Sequence, residues 1–368
     1  MSTVVVGGGL VGSAIAYGLA LQGETVTILD EGDVAFRASR GNFGLVWVQG
    51  KGDQHVQYAS WSLQSARLWP RLAADLQRDA GIDVCLQQPG GYHICLSDDE
   101  MQERANKLSR IRENLDQPYD YQIYTASELK RILPEIGPDV VGASHTPYDG
   151  HVNPLLLLRA LHKAAIVRGA AYRPNRKVLQ IKHSGSSFRL ETDSGDSFTT
   201  DKLVIAAGLS NRELAEQVDI YVPIKANQGQ VLIGERCKHF LSAPTTYIRQ
   251  TNEGTIQMGD SMADMGLDDR TQNEVISTIA RRAIRTFPIL GTLNLVRAWA
   301  ALRIMSPDGL PIYQESRACP GAYVFTCHSG VTLAANHAYE ISRWVFEGEQ
   351  PDAARTFSNA RFMEHSSS

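Results

Sequence analysis

The stretch Val4-Val5-Val6-Gly7-Gly8-Gly9-Leu10-Val11-Gly12 decides the fold of this chain. Three β-branched residues run into a G-x-G-x-x-G pattern at Gly7, Gly9 and Gly12. The order predicts a buried strand over residues 3–7, a tight turn, and a helix from Leu10 to Gln22 closed by Gly23. A second strand follows over residues 25–29. Gly7 permits the turn, Gly9 lets a pyrophosphate approach the backbone, and Gly12 lets the helix pack on the strand. The helix start, with Leu10 and Val11 in its first turn, then offers N–H groups and a positive dipole end to phosphates. Asp30, with Glu31 beside it, ends the second strand 18 residues after Gly12, where a carboxylate accepts bonds from ribose hydroxyls. A glycine-rich turn without a ligand is the competing reading; strand, glycines, helix, strand and acid in this order weigh against it.

The rest of the chain sets bounds. Its 368 residues suggest two domains. Lys plus Arg number 36 against 40 for Asp plus Glu, a net charge of -4, which weighs against nucleic acid as a main partner. The five cysteines are scattered and none stands in a C-x-x-C pair, so no metal or iron–sulfur site is expected. They fit reduced thiols of a cytoplasmic protein better than a disulfide framework. Met1-Ser2-Thr3 leads straight into the first strand, and no signal peptide is expected. The longest apolar stretch, Leu10 to Leu21, is well short of the ~20 residues of a membrane span.

Coarse periodicity adds further elements. Residues 54–80 read as a helix that Pro70 should kink or split. Residues 84–87 and 92–97 flank Pro89-Gly90-Gly91 and read as a hairpin. A charged helix runs from about Asp98 to Leu115, and Asn153 caps another that begins at Pro154. Residues 178–183, 188–192 and 198–200 form a meander, and 203–206 a buried strand. Residues 222–233, 245–259, 295–303 and 322–327 are strand-like. Thr271 to Phe287 reads as an amphipathic helix capped by Asp268 or Asp269, and Val331 to Phe346 as a helix ending at Gly348. The fold class is therefore α/β: a Rossmann-type domain (1–82, 147–218, 296–368) interleaved with an α+β substrate domain containing an antiparallel sheet (83–146, 219–295).

Several segments carry a resemblance. Arg37-Ala38-Ser39-Arg40-Gly41-Asn42-Phe43-Gly44, followed by Leu45, resembles the second flavin motif of the FAD-dependent D-amino-acid oxidase/dehydrogenase superfamily, which includes glycine and sarcosine oxidases. The resemblance implies that these residues contact the pyrophosphate, ribityl chain and ring of FAD. Val204-Ile205-Ala206-Ala207-Gly208 is similar to the strand that closes the adenine half there, and Val178 to the residue whose backbone contacts adenine. Asp149 to Pro154 resembles the entry to the middle helix. Ala301-Leu302-Arg303 with Ser306 to Pro311 resembles a glycine-oxidase segment. His328-Ser329-Gly330-Val331-Thr332-Leu333 resembles the closing flavin motif, whose helix start would face the flavin C2 carbonyl. Gly41 to Gln49 is similar to β subunits of multi-subunit amine dehydrogenases, such as the opine oxidases.

The resemblance implies oxidation of the C–N bond of an amine carrying a carboxylate, by hydride transfer to flavin N5 and hydrolysis of the imine. Within that group it points to an opine such as octopine or nopaline as substrate. It also implies larger α-type and small γ-type electron-transfer partners, with an FMN shared between subunits. Residues 298–308 contain no Cys, so the FAD is expected to be non-covalent. Arg303 is the candidate for the substrate carboxylate; a structural or flavin-contacting arginine is the alternative. His328 and Tyr247 are candidates for flavin or substrate contact, against core packing. Lys51 and His55 line the substrate or a channel, or are solvated surface. Arg270, Arg281, Arg282 and Arg285 form a patch for an acidic partner, or a solvated face. A self-sufficient oxidase and a flavin-binding assembly subunit without turnover are the other readings.

Overall fold

The strand Ser2–Val6 lies inside a six-stranded sheet in the computed structural model, which describes residues 1–32, 38–259 and 261–363. The strand order is Ile312–Glu315, Ala322–Thr326, Lys202–Ile205, Ser2–Val6, Thr25–Leu29, Ala171–Arg173. All neighbours are parallel except the outermost pair, Ile312–Glu315 with Ala322–Thr326. A parallel sheet needs both faces covered, which is why Val4, Val5 and Val6 form an unbroken apolar run. The helix Leu10–Leu21 covers one face with Pro154–Val167 and the C-terminal helical run. The meander Val178–Ser184, Ser187–Thr192, Ser197–Thr200 covers the other, packing Phe188 and Leu190 on Val4, Val6 and Leu203.

A second architecture stands beside it. Four antiparallel strands run in the order Ile248–Gln250, Thr255–Met258, Lys225–Arg236, Leu295–Met305. A three-stranded sheet, Gly91–Cys95, Gly142–Thr146, Gln122–Thr125, shares a core with it through Tyr92, Ile94, Leu232, Ile256 and Phe287. The mixed α/β class with added antiparallel sheets is as expected. Among the described residues no helix is long and apolar enough to cross a membrane.

Four local expectations are corrected. The helix Val56–Ala80 runs through Pro70 unbroken. The carbonyl that Pro70 leaves without its helical donor is that of Ala66, and Gln88 Nε2 donates to it at 3.1 Å. Trp61, Trp69, Leu72 and Leu76 on either side of Pro70 bury one face of this continuous helix in the core, so Pro70 does not split it. The hairpin around Pro89 does not form: Gly91–Cys95 pairs with Gly142–Thr146, and Gln87 bridges to His151. Partners distant in sequence win because Gly91 fits only a Cβ-free backbone against Trp47 and Asp149. The helix Asn273–Thr286 is preceded by Gln272 with no side-chain cap, since Asp268 is taken by Arg270. The last helix is not uniform: a turn at 330–333 leads into Ala334–Asn336, a π turn His337–Ile341 and Ser342–Glu347, stopped by left-handed Gly348.

The π turn touches the first helix at Gly18, where a Cβ would collide with the Ala338 carbonyl oxygen and the Ser342 hydroxyl. Gly18→Ala should therefore lower stability by about 1–3 kcal/mol, despite alanine's better helix propensity, read as a fall in urea midpoint.

Candidate active site

The first turn and the ends of the parallel strands enclose a cavity of about 1380 Å³, counting its open mouth. Such crevices at strand carboxyl ends are where doubly wound sheets bind ligands. Gly7, Gly9, Leu10, Val11, Asp30 and Glu31 line it from the first β-α-β unit. Ser39, Arg40, Val178, Ala207 and Gly208 join them from distant segments. Gly7 has φ 105°, and a Cβ there would strike the Ala206 carbonyl. A Cβ on Gly12 would strike the Gly7 carbonyl, so helix and strand touch backbone to backbone. Ser39 Oγ accepts from Leu10 N at 3.0 Å, which carries the second motif onto the helix start. Asp30 is held by Gly8 N at 2.6 Å and Gly32 N at 2.9 Å, one on each oxygen. Each oxygen keeps a lone pair for a ribose hydroxyl. Arg37 lies outside the described residues.

Several lining residues escaped the sequence reading, among them His162 and Thr326. His162 Nε2 meets Gly8 O at 2.7 Å and stacks on Tyr172 at 4.6 Å. The helical spacing of Leu158 and His162, both on the cavity, was the available signal. Thr326 Oγ1 is buried against the cavity with no hydrogen-bond partner among the described residues. An orphaned buried hydroxyl beside a glycine cradle and a helix N-terminus fits a polar dinucleotide ligand.

The other end of the site is built by Asn42 to Leu45. Asn42 Oδ1 accepts from Gly44 N at 2.7 Å, closing a turn in which Gly44 has φ 88°. A Cβ on Gly44 would press on the Val152 carbonyl and Pro154. The Phe43 ring lies 5.9 Å from the buried Arg249 guanidinium, and Leu45 pairs with His151. Trp47 N donates to Thr332 Oγ1 at 3.1 Å, so the second and closing motifs are tied directly. The carbonyls of Val331 and Thr332 accept from Trp69 Nε1 at 3.2 and 3.1 Å, leaving the turn at Gly330 open-faced toward Leu10.

Arg303 stands opposite Asn227 on the strand Leu295–Met305. Trp299 and Ala301, on the same strand face, rest on Gly41, which brings Arg303 to the ring-end loop. Its Nη1 donates to Ser261 O at 2.6 Å and Asn227 Oδ1 at 3.4 Å. Burial pushes it down to about 10, so it is cationic at neutral pH. His328 keeps an exposed face at the site, and the protein packed round it first, then the charges of Lys51 and Arg303, push it down to about 3. Its imidazole is therefore neutral. Tyr247 is engaged elsewhere on the roof, with its ring 5.6 Å from His93 and 4.6 Å from the Arg282 guanidinium. His55 precedes the long helix and is exposed, whereas Lys51 turns inward to Ser329 Oγ. The arginines around residues 270–285 are largely used internally: Arg270 with Asp268, Arg282 with Glu100, Arg285 with Asp139.

A buried polar network supports the loop after Leu45. Asp149 accepts from Val48 N at 2.5 Å, Gln49 N at 3.3 Å and Gln49 Nε2 at 2.7 Å. Gln49 Oε1 in turn accepts from Arg104 Nη2 and Ser144 Oγ, each at 2.7 Å. Burial raises the Asp149 carboxyl to about 7, against these bonds, which favour its charge.

A family model described as FAD dependent oxidoreductase matches residues 2–344. The chain belongs to this family. It is similar to the B subunit of opine oxidase from Rhizobium meliloti, 41% identical over 359 residues, covering 97% of this chain and 96% of that one. The B subunit of opine oxidase from Agrobacterium tumefaciens (strain Ach5) is also 41% identical, over 362 residues, with the same coverage. The glycine oxidase structure from Geobacillus kaustophilus shares the fold, with a TM-score of 0.90, 24% identity and 97% of each chain covered. The cavity is accordingly that of an FAD-dependent oxidoreductase.

Two outcomes are expected. Gly7→Ala should lose FAD, read as a fall in flavin-to-protein absorbance ratio after gel filtration. Asp149, with a folded value above the ordinary ~3.9, lends stability below that value and loses it as pH rises to about 7. The stability of the wild type relative to Asp149→Asn should fall by about 1 kcal/mol per pH unit across that window, then level off, in urea melts at pH 5, 6, 7 and 8.

Proposed function

We propose that this chain is the amine-oxidising, β-type subunit of a heteromeric dehydrogenase acting on opine-type secondary amines. The observation that carries this reading is Arg303, a half-buried guanidinium held beside the ring-end loop, where a carboxylate-bearing amine would meet the cofactor. FAD, when bound, supplies a two-electron acceptor. The substrate's α-carbon gives up a hydride and its nitrogen a proton, and water converts the resulting imine to a 2-oxo acid and an amine. Arg303 orients the α-carbon through a bidentate carboxylate pair. Neutral His328 can accept a hydrogen bond from the amine without repelling a cation. The Trp47–Thr332 bond and the Asp149 network fix the loop against which the substrate packs.

The same reading has FAD held without a covalent bond. Cys327 lines the cavity, and burial pushes its thiol up to about 12, away from the nucleophilic thiolate. Electrons leave through α-type and small γ-type partners, with a shared FMN, in the cytoplasm, where the free thiols stay reduced. The segments 1–82, 147–218 and 296–368 serve as the FAD-binding domain, and 83–146 with 219–295 as the substrate domain. The two 41%-identical relatives, each named as one subunit of an oxidase, support a complex.

The test is native purification with identification of chains and flavins, then anaerobic mixing with octopine or nopaline. Bleaching of the flavin and co-purified larger chains are expected. Purification alone with one FAD and rapid reaction with oxygen would replace this reading by a self-sufficient oxidase. Arg303→Ala should weaken carboxylate substrates by about ten- to a hundredfold with FAD retained; the reverse pattern would make Arg303 a cofactor residue.

A further inference from the structure

Gly8 is held from separate parts of the fold at once. Its N–H donates to Asp30 Oδ2 at 2.6 Å, and its carbonyl oxygen accepts from Ser13 Oγ at 2.9 Å. The same oxygen meets His162 Nε2 at 2.7 Å. A carbonyl oxygen only accepts, so Nε2 carries the proton and donates. Ser13 is fully buried on the helix Leu10–Leu21, whereas His162 stands on the helix Pro154–Val167. That second helix is fixed at its start by Asn153, whose Oδ1 accepts from Leu155 N and Leu156 N, each at 3.1 Å. Tyr172 stacks on the His162 ring at 4.6 Å, with 30° between the planes. A Cβ on Gly8 would come within 3.0 Å of the Tyr172 ring.

These bonds fix a direction. In a trans peptide the C=O and the following N–H share a plane and point opposite ways. Holding Gly8 O against Ser13 and His162 therefore turns the Gly9 N–H away from them. A peptide unit between two glycines has no side chain to resist rotation, so the partners of its carbonyl decide which way it faces. Turned over, the same unit would offer an incoming pyrophosphate an acceptor in place of a donor. The oxygen has two lone pairs; Ser13 fills one and His162 the other.

We propose that His162 is a positioning residue for the cofactor: by holding the Gly8 carbonyl, it keeps the glycine turn in the orientation that receives the pyrophosphate of FAD. The assignment does not depend on which amine the chain oxidises. Three variants of the full chain, each loaded with FAD, test it. His162→Phe keeps a ring on Tyr172 without a donor. His162→Asn carries a donor that falls short of Gly8. His162→Gln carries one at the reach of Nε2. FAD release after dilution is followed by the rise in flavin fluorescence. Release should quicken about three- to tenfold in His162→Phe and His162→Asn and return close to the wild-type rate in His162→Gln. A ring that merely packs predicts the reverse, with FAD retained by His162→Phe and lost by His162→Gln. That reverse pattern, unchanged release in all three, or quickened release in all three overturns the assignment. Should His162→Phe and His162→Asn fail to take up FAD at all, uptake by His162→Gln supports the assignment, and its failure overturns it.

Discussion

Backbone contact at the first turn governs the rest of the molecule. Gly7, Gly12 and Ala206 come so close that no side chain fits between them. That closeness lets the helix Leu10–Leu21 start directly over the strand ends, with its first turn on the cavity and its Leu10 N–H taken by Ser39 Oγ. It also fixes Lys202–Ile205 as the neighbour of Ser2–Val6, almost 200 residues away in sequence, in register Val5 with Val204. The strand Ala322–Thr326, with Phe325 and Thr326 on the cavity, reaches it through that pairing.

Legibility in the sequence follows the range of the interactions. The β-α-β unit was readable because strand, turn and helix signals lie within 30 residues and agree with one another. The meander at 178–200 was readable for the same reason. The hairpin at Pro89 was misread because its local turn signal was overridden by a strand 50 residues on. Pro70 was misread because the repair of its helix comes from Gln88, a partner no periodicity reveals. Site residues divide likewise. Glycines and Asp30 declare themselves by backbone demands, whereas His162, Thr326 and Asp149 matter only through what folding places beside them.

Charge placement carries more information than net charge. A chain with a net charge of -4 nonetheless buries Arg104 and Arg249, and half-buries Arg303, among the antiparallel sheets. Arg104 is satisfied by neutral oxygens on Gln49 and Ser144, and Arg249 by Val152 O and Gln257 Oε1. Neutral partners leave most of a buried guanidinium's field uncancelled. Two buried guanidiniums with neutral partners thus raise the potential of this half of the interior, which the Asp149 carboxyl offsets when ionised.

The loop from Leu45 to Gly52 joins these themes. Its first residues pair with His151, its Trp47 is tied to Thr332, and its Val48 and Gln49 hang on Asp149. The Asp149 carboxyl bonds the loop most strongly as an anion, yet burial raises its proton affinity. The bonds from Val48 and Gln49 oppose that rise first, and the charge of Arg104, reached through Gln49, adds to them. A cation on the helix Asp98–Asn114 therefore helps hold a loop whose one end pairs with His151 and whose other end turns at Gly50 and Gly52. The Trp47–Thr332 bond and the Asp149 network share that loop, so neither can shift without straining the other.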